Sequence, residues 1–435
     1  MKKYIIIPGS SDLNRGDQAL AWETKEIAVD AGYIGKYSIL AEKDEPVQQS
    51  IDEGFNVLRP VLEHPSRHFK DKNNITYTLG IKILWGLVAI KDFLVSLFYL
   101  TKVGRIFLTR IFPNSECTRT IKEFEYSDAV FMKGGGLIQS HGGILSTYAT
   151  YYRVYHLLLA QSLKKRIYIM PNSFGPFEGP FVKSMVKKVF ARCNFIAVRE
   201  EKSNERVMEE LGFDFPVYPD LAFFLKESNA QKSVLFDKYS IPADKEIVAI
   251  TMRPYRFPNS KDPVMSYNKF KIEMAKTIES INKMGMLPMI IEHTHAITSH
   301  ENDGDSIRNV LELLASNVEY VFISDRSLNC RELKKIYSYC NFIIGTRFHS
   351  LIFSLSSHVP GIAISYDGYK SIGIMRDIGL EDYVIDISDV TEKRLIEMLK
   401  QVITNQKAIS LKIDKYIKKS NVLRQDLINK IKWVG

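Results

Sequence analysis

A chain of 435 residues, 45% of them hydrophobic, can bury a large core and exceeds one ordinary domain, which excludes a disordered protein or a small disulfide-stapled one. Its formal charge of +9 suits an acidic ligand or an anionic membrane surface, but no compact Arg/Lys run with interleaved aromatics is present, so no nucleic-acid partner is expected. The four cysteines, Cys117, Cys193, Cys330 and Cys340, lack a metal spacing and read as the reduced thiols of a cytoplasmic protein.

The run Tyr4 to Ile7 in "MKKYIIIPG" is a first strand, too short for a signal peptide. "NRGDQALAWETKEIAVDAGY" follows as a helix with Ala19, Trp22, Ile27 and Ala28 on its apolar side. The stretch from Leu79 to Leu108 is strongly apolar, yet Lys82, Lys91 and Asp92 leave no uncharged span of about 18 residues. It reads either as a helix covering the first domain's sheet or as a membrane-facing patch that includes Trp85, Phe93, Phe98 and Tyr99. "DAVFMKGGG", "KRIYIMPNSFGP" and "CNFIAVREEKS" are further short strands that run into Gly, Pro or Asn loops. Beyond a polar segment the pattern repeats in "EIVAITMRP", "LPMIIEHTHA", "VEYVFISD", "NFIIGT" and "VPGIAISY", with helices between them. Such alternation predicts parallel sheets covered on both faces. The expected architecture is α/β: Rossmann-like domains over 1–235 and 236–385 facing each other across a cleft, then a lysine-rich helical extension over 386–435. That extension either packs back on the first domain or holds a homo-oligomer together.

Ligands of open parallel sheets sit beyond the carboxyl ends of the strands. Asn14, Gly16 and Asp17, the glycines around Gly135, Asn172, Arg199, Arg253, His293, His295, Arg347 and His349 all fall there. Asn14 and Asp17 read as helix caps or as ligand contacts, and the run from Gly134 to Gly136 as a tight loop or a close approach to ligand. Arg199, Arg253 and Arg347 each follow an apolar strand, and guanidinium forks suit phosphate and carboxylate. His349 is either a helix-start residue or a general acid or base. Together these residues point to a transferase-like site for a small phosphorylated acid or an activated sugar. His293 and His295, with His300, Glu301, Asp303 and Asp305, raise a metal reading, but their spacing is not a strong motif, so no metal is expected and acceptor binding is assigned to this loop. Tyr148, in "YATYYRVYH", is either part of an acceptor wall or one face of an amphipathic helix.

In "NRGDQAL", "FMKGGGLI", "NSFGP", "FIAVREEKS", "YPDLAF" and "GTRFHSLIFSLSSHVPGIAISY" the chain resembles the polysaccharide pyruvyl transferase family, in that family's order and over roughly Tyr4 to Leu380. The resemblance implies a glycosyltransferase-B-like fold and transfer of an enolpyruvyl-derived unit from phosphoenolpyruvate to a sugar, forming a pyruvate ketal. It places Arg199 and Arg347 on the donor-binding arginines, Phe348 where a leucine is common, and His349 on the family's histidine. His349 is then the expected general acid, with Asp17 orienting or deprotonating a hydroxyl. Phe348, Asn14, Gly16, Gly135 and Asn172 are assigned to the donor, and Arg253, His293, His295 and Tyr148 to the acceptor. No cofactor is expected beyond phosphoenolpyruvate as substrate. The saccharide acceptor, carried on an isoprenoid diphosphate, would be met at the inner face of the cytoplasmic membrane. The alternative is a nucleotide-sugar glycosyltransferase.

Overall fold

Short runs of β-branched and aromatic residues become buried parallel strands, and the longer mixed segments between them become the crossover helices that parallel pairing requires. The computed structural model describes residues 1–9, 11–62, 79–296, 301–366 and 370–433. In the first half, β1 (Lys3–Ile7), α1 (Arg15–Asp30), β2 (Lys36–Leu40), α2 (Gln48–Asp52), β3 (Phe55–Leu58), α3 (Leu79–Tyr99), α4 (Lys102–Ile111) and α5 (Glu116–Tyr126) lead to β4 (Ala129–Met132). There follow β5 (Gly135–His141), α6 (Gly143–Ser162), β6 (Arg166–Glu178), α7 (Val182–Phe190), β7 (Phe195–Val198) and α8 (Glu201–Leu211). The second half runs α9 (Lys232–Lys238), β8 (Ile247–Thr251), α10 (Pro263–Lys283), β9 (Leu287–Ile291), α11 (Asp303–Leu311), β10 (Val321–Ile323), α12 (Cys330–Ser338) and β11 (Phe342–Gly345). It closes with α13 (Phe348–Ser356), β12 (Gly361–Ser365), α14 (Lys370–Ile378), β13 (Val384–Asp386), α15 (Glu392–Thr404) and α16 (Gln406–Lys430).

The first sheet has the order β3-β2-β1-β4-β6-β5, with β7 also paired to β6. The second is β10-β9-β8-β11-β12-β13. Each is parallel, and the winding changes direction between β1 and β4 in the first and between β8 and β11 in the second, as in a Rossmann-like sheet; in the first, β6 also returns to lie between β4 and β5. The two Rossmann-like domains and the C-terminal helices are therefore as expected, while β2, β3, β5 and β13 are strands that the sequence reading passes over.

One compact unit comprises Met1–Asp12, Leu20–Asp220 and Gln425–Gly435, and the other Leu13–Ala19 with Leu221–Arg424. The division falls at Asp220, not at 235. The turn Leu221–Phe224 packs on α13, Phe223 rests 5.1 Å from the Tyr416 ring, and Lys334 Nζ donates to the Leu225 carbonyl at 2.6 Å, so this stretch is core of the second unit. The C-terminal extension is likewise not a unit of its own, because its last residues complete the first. Tyr218 donates to Asp426 (2.6 Å), Tyr33 donates to the Ile431 carbonyl (2.8 Å), and the Trp433 ring lies 5.1 Å from Tyr33 with Lys2 Nζ at 3.6 Å above it.

The long apolar segment is two helices. The pair α3 and α4 bends by 104°, since Thr101 caps α4 by accepting from the Gly104 amide, and a Cβ on Gly104 would meet the Phe98 carbonyl at 2.0 Å. Among the described residues no single helix is long and apolar enough to cross a membrane.

Replacing Trp433 by Ala should cost about 2 kcal/mol through lost ring packing and the lost cation–π contact, read as a lower denaturation midpoint. An unchanged midpoint would mean that the C-terminal residues do not brace the first unit.

Candidate functional site

In the second unit two loops leave neighbouring strands at the point where the sheet reverses. Thr251 and Gly345 are register partners at the ends of β8 and β11, so Arg253 and Arg347 hold matching positions just beyond them. Hydroxyls lock this corner. Thr346 Oγ1 donates to the Thr251 carbonyl (3.1 Å) and accepts from the Arg253 amide (2.9 Å), while Ser350 Oγ donates to the Arg347 carbonyl (2.6 Å).

The two arginines are used differently. Arg347 sends Nε and Nη2 to Oδ1 of Asp303 at 2.8 and 2.6 Å, and Nη2 also donates to the Glu301 carbonyl at 2.6 Å. Asp303 is fully buried and accepts a further bond at Oδ2 from the Thr294 amide (3.0 Å). Burial alone would lower the pKa of Arg347, but the Asp303 carboxylate outweighs it and raises the value, so the guanidinium is a permanent cation. The anion that Arg347 was expected to take from a ligand is thus matched first by the protein's own carboxylate. Arg253 lies with its guanidinium 4.0 Å from the Tyr366 ring centroid, and Nε donates to the Pro254 carbonyl (3.3 Å). Among the described residues no carboxylate is paired with it, and its charge reaches Asp303.

His349 is the second residue of α13, with the buried Phe348 ring edge-on at 5.3 Å. Its imidazole is fitted against the first turn of α1. A Cβ built on Gly16 would lie 2.2 Å from His349 Nδ1 and 2.5 Å from Cγ, so only glycine fits there. Asn14 is the cap of that turn: its Oδ1 accepts from the Gly16 amide (3.1 Å) and the Asp17 amide (3.2 Å), and its Nδ2 donates to Asp17 Oδ2 (3.1 Å). The cap reading is the one seen for Asn14, while Asp17 accepts from the Asn14 side chain and does not cap; the Gly16 and Asp17 amides already have an acceptor. The turn belongs to the second unit through the antiparallel bridge Asn14–Thr294, the His295 amide donating to the Leu13 carbonyl (2.8 Å), and Arg15 Nη2 donating to the Arg326 carbonyl (2.8 Å).

His293 and His295 follow β9 and are each 2% exposed, so neither offers the saccharide-facing surface expected of it. Burial, and then the positive fields of His349, Arg347, Arg15 and His295, hold the pKa of His293 well below the ordinary range. This histidine stays neutral, with Nδ1 3.3 Å from the Tyr337 hydroxyl and Nε2 buried without a partner among the described residues. His295 Nδ1 meets Glu292 Oε1 at 2.9 Å. Burial opposes ionisation of Glu292, yet hydrogen bonds from His295 and Ser324 carry its pKa below the usual value. Among the described residues no three His, Cys, Asp or Glu side chains are grouped to hold a metal, and His300 lies outside those residues.

The other expected residues belong to the first unit. Gly135, at φ +150°, is the register partner of Asn172, whose Nδ2 donates to the carbonyls of Lys133 (2.9 Å) and Met170 (2.7 Å). Asn172 Oδ1 is buried without a partner among the described residues. Arg199 follows β7 at the sheet edge, is 2% exposed, and donates from Nη1 to Asp220 and from Nε to Ser173, both at 2.6 Å, with Glu200 Oε2 at 3.4 Å. With two carboxylates beside it, this guanidinium is matched first by the protein's own acids, as Arg347 is in the second unit. Tyr148 packs on α3, its ring 6.0 Å from Trp85, and burial with Asp92 nearby pushes its pKa up to about 12. Of its two readings, the packed face of a helix is the one whose contacts are seen.

Sequence reasoning missed Lys133, 1% exposed at the end of β4, although a lysine between an apolar strand and three glycines was a visible signal. It named Asp303 only as a possible metal ligand and did not find Glu292 or Thr346. Their partners are distant in sequence.

A model of the family described as Polysaccharide pyruvyl transferase matches residues 14–368. The chain belongs to the polysaccharide pyruvyl transferase family. As a polysaccharide pyruvyl transferase family member it is an enzyme of the pyruvyltransferase type, and the matched span contains the Asn14–Asp17 turn, Arg253 and the Arg347–His349 corner. It is 26% identical over 303 residues to the amylovoran biosynthesis protein AmsJ of Erwinia amylovora, covering 68% of this chain and 70% of that protein. Among solved structures it is similar to the UDP-GlcNAc 2-epimerase of Neisseria meningitidis bound to UDP-GlcNAc (TM-score 0.56, 10% identity, 95% of this chain and 94% of that one). It is also similar to MnaA of S. aureus with UDP (TM-score 0.53, 11% identity, 95% and 90%). At such identities these structures show the glycosyltransferase-B-like fold alone.

By helix propensity Gly16→Ala should stabilise α1 by about 1 kcal/mol, but the added methyl would displace the His349 ring by about 1 Å. Turnover is expected to fall about 100-fold with the fold retained by circular dichroism. Unaltered turnover with a raised melting temperature would show that Gly16 does not position His349.

Proposed function

We propose that the chain moves a pyruvyl group from phosphoenolpyruvate to a pair of hydroxyls on a surface-polysaccharide precursor. The observation that carries this reading is Arg253, a cation free of carboxylate partners among the described residues, sharing the strand-end corner with His349. Phosphoenolpyruvate brings a phosphate and a carboxylate, and we assign them to Arg253 and to the edge of Arg347 that Asp303 leaves over.

The chemistry divides among the remaining residues. His349 gives a proton to the methylene carbon, which becomes the methyl group, and positive charge develops at the adjacent carbon. A sugar hydroxyl adds there. We assign its proton to Asp17, next to the glycine that packs on His349. The carbon–oxygen bond to phosphate then breaks, and the neighbouring hydroxyl adds to the same carbon. The ketal is closed and inorganic phosphate leaves with the second hydroxyl proton. His293, kept neutral, avoids placing another imidazolium against the charge that develops near His349. The scheme uses no cofactor. We assign the acceptor to the isoprenoid-diphosphate-linked class, at the cytoplasmic face of the membrane.

Thermal unfolding with phosphoenolpyruvate, pyruvate, phosphate and a panel of nucleotide sugars tests the donor. Saturation at about 100 times the dissociation constant should stabilise the protein by about 2.7 kcal/mol. Phosphoenolpyruvate should raise the melting temperature more than pyruvate or phosphate does, and Arg253→Ala should remove the shift. A shift with a nucleotide sugar alone would replace this reading by glycosyl transfer.

A further inference from the structure

The helix pair α3 and α4 buries only part of its apolar surface: Ala89 and Leu108 are 6% and 3% exposed, and Phe93 packs 4.8 Å from the Tyr151 ring. Its inward side also carries polar groups: Ser96, 2% exposed, meets the Tyr151 hydroxyl at 2.8 Å, and Arg105, 8% exposed, donates to the Leu100 carbonyl (2.8 Å) and to Ser162 Oγ (3.2 Å). Its outward side is apolar. Leu87, Ile90 and Leu94 are 61%, 60% and 59% exposed, followed across the bend by Val103 at 69%, Phe107 at 51% and Phe112 at 55%. Patches of this extent do not face water on a soluble surface without a partner.

Charge selects the partner. Besides the inward-facing Arg105, the cations between Leu79 and Phe112 are Lys82, Lys91, Lys102 and Arg110, against Asp92 as the sole acid. A second copy seated on this face would bring like charges together, whereas an anionic lipid surface complements them. The 104° bend breaks the segment into helices of 21 and 10 residues with outward apolar faces; neither alone is long and apolar enough to cross a membrane, and such faces suit an interface. We propose that the outward face of α3 and α4 inserts into the headgroup region of an anionic membrane. This inference stands apart from the donor chemistry proposed above.

Vesicle co-sedimentation of the full chain tests it, with phosphatidylglycerol-containing and pure phosphatidylcholine vesicles. The protein should pellet with the anionic vesicles and at least ten-fold less with the neutral ones, since each cation near the surface adds about five-fold to partitioning. The triple variant Leu87→Glu, Leu94→Glu, Phe107→Glu should stay in the supernatant with an unchanged melting temperature, because all three side chains are exposed. Lys91→Glu with Lys102→Glu should weaken binding while leaving the apolar face intact. Three results would overturn the proposal: no pelleting of the parent chain, pelleting that survives the triple variant, or a lipid-free dimer by light scattering that the triple variant abolishes.

Discussion

A buried ion pair, Arg347 with Asp303, organises the second unit's candidate site. Removing two charges from water is costly, and only close geometry with every remaining lone pair satisfied offsets it. Here Asp303 receives two nitrogens of one guanidinium and the Thr294 amide, and Arg347 adds a bond to the Glu301 carbonyl. One pair therefore ties the β11–α13 corner to the start of α11 and to the chain that leaves β9. Thr294 bridges to Asn14, and Asn14 caps the turn whose Gly16 presses on His349. The position of the imidazole is thus set by a chain of contacts that begins at a carboxylate, with glycine as the last link.

The same pair explains a division of labour between arginines. A guanidinium held by a buried carboxylate is fixed in place but partly neutralised, whereas Arg253, stacked on Tyr366, keeps its charge for something else. Arg199 goes furthest in the first direction, with Asp220 and Glu200 both beside it. Of three arginines at similar strand ends, two are held by carboxylates and one, Arg253, has no such partner among the described residues. The switch point of the second sheet, between β8 and β11, is where Arg253 emerges, in keeping with where parallel sheets bind ligands.

Strand alternation and glycine-rich corners made the two-sheet α/β fold legible, because burial on both faces requires continuous apolar runs such as "IVAIT" and "FIIG". The place of Arg347 and His349 just beyond a buried strand was legible for the same reason, because the apolar run ends at Gly345. What was not legible were the pairings. Nothing local to "AVREEKS" announces that Arg199 will meet Asp220, and nothing in "NRGDQAL" says that its glycine faces a histidine more than three hundred positions away. The histidines of "EHTHA" looked like surface ligands because polarity in a sequence suggests exposure, while tertiary packing buried both. The apolar segment after 79 could not be apportioned from its pattern, since Ala89 and Leu108 are buried while Leu87, Ile90 and Leu94 face outward.

The account rests on phosphoenolpyruvate being the donor and His349 its proton source. The most direct measurement follows inorganic phosphate and acceptor mass together, using the purified chain, phosphoenolpyruvate and a lipid-linked saccharide. The account predicts one phosphate released for each ketal-forming mass gain, no release without acceptor, and a loss of about 100-fold or more in His349→Ala. Acceptor modified from a nucleotide sugar while phosphoenolpyruvate is left intact, or full turnover in His349→Ala, would contradict it.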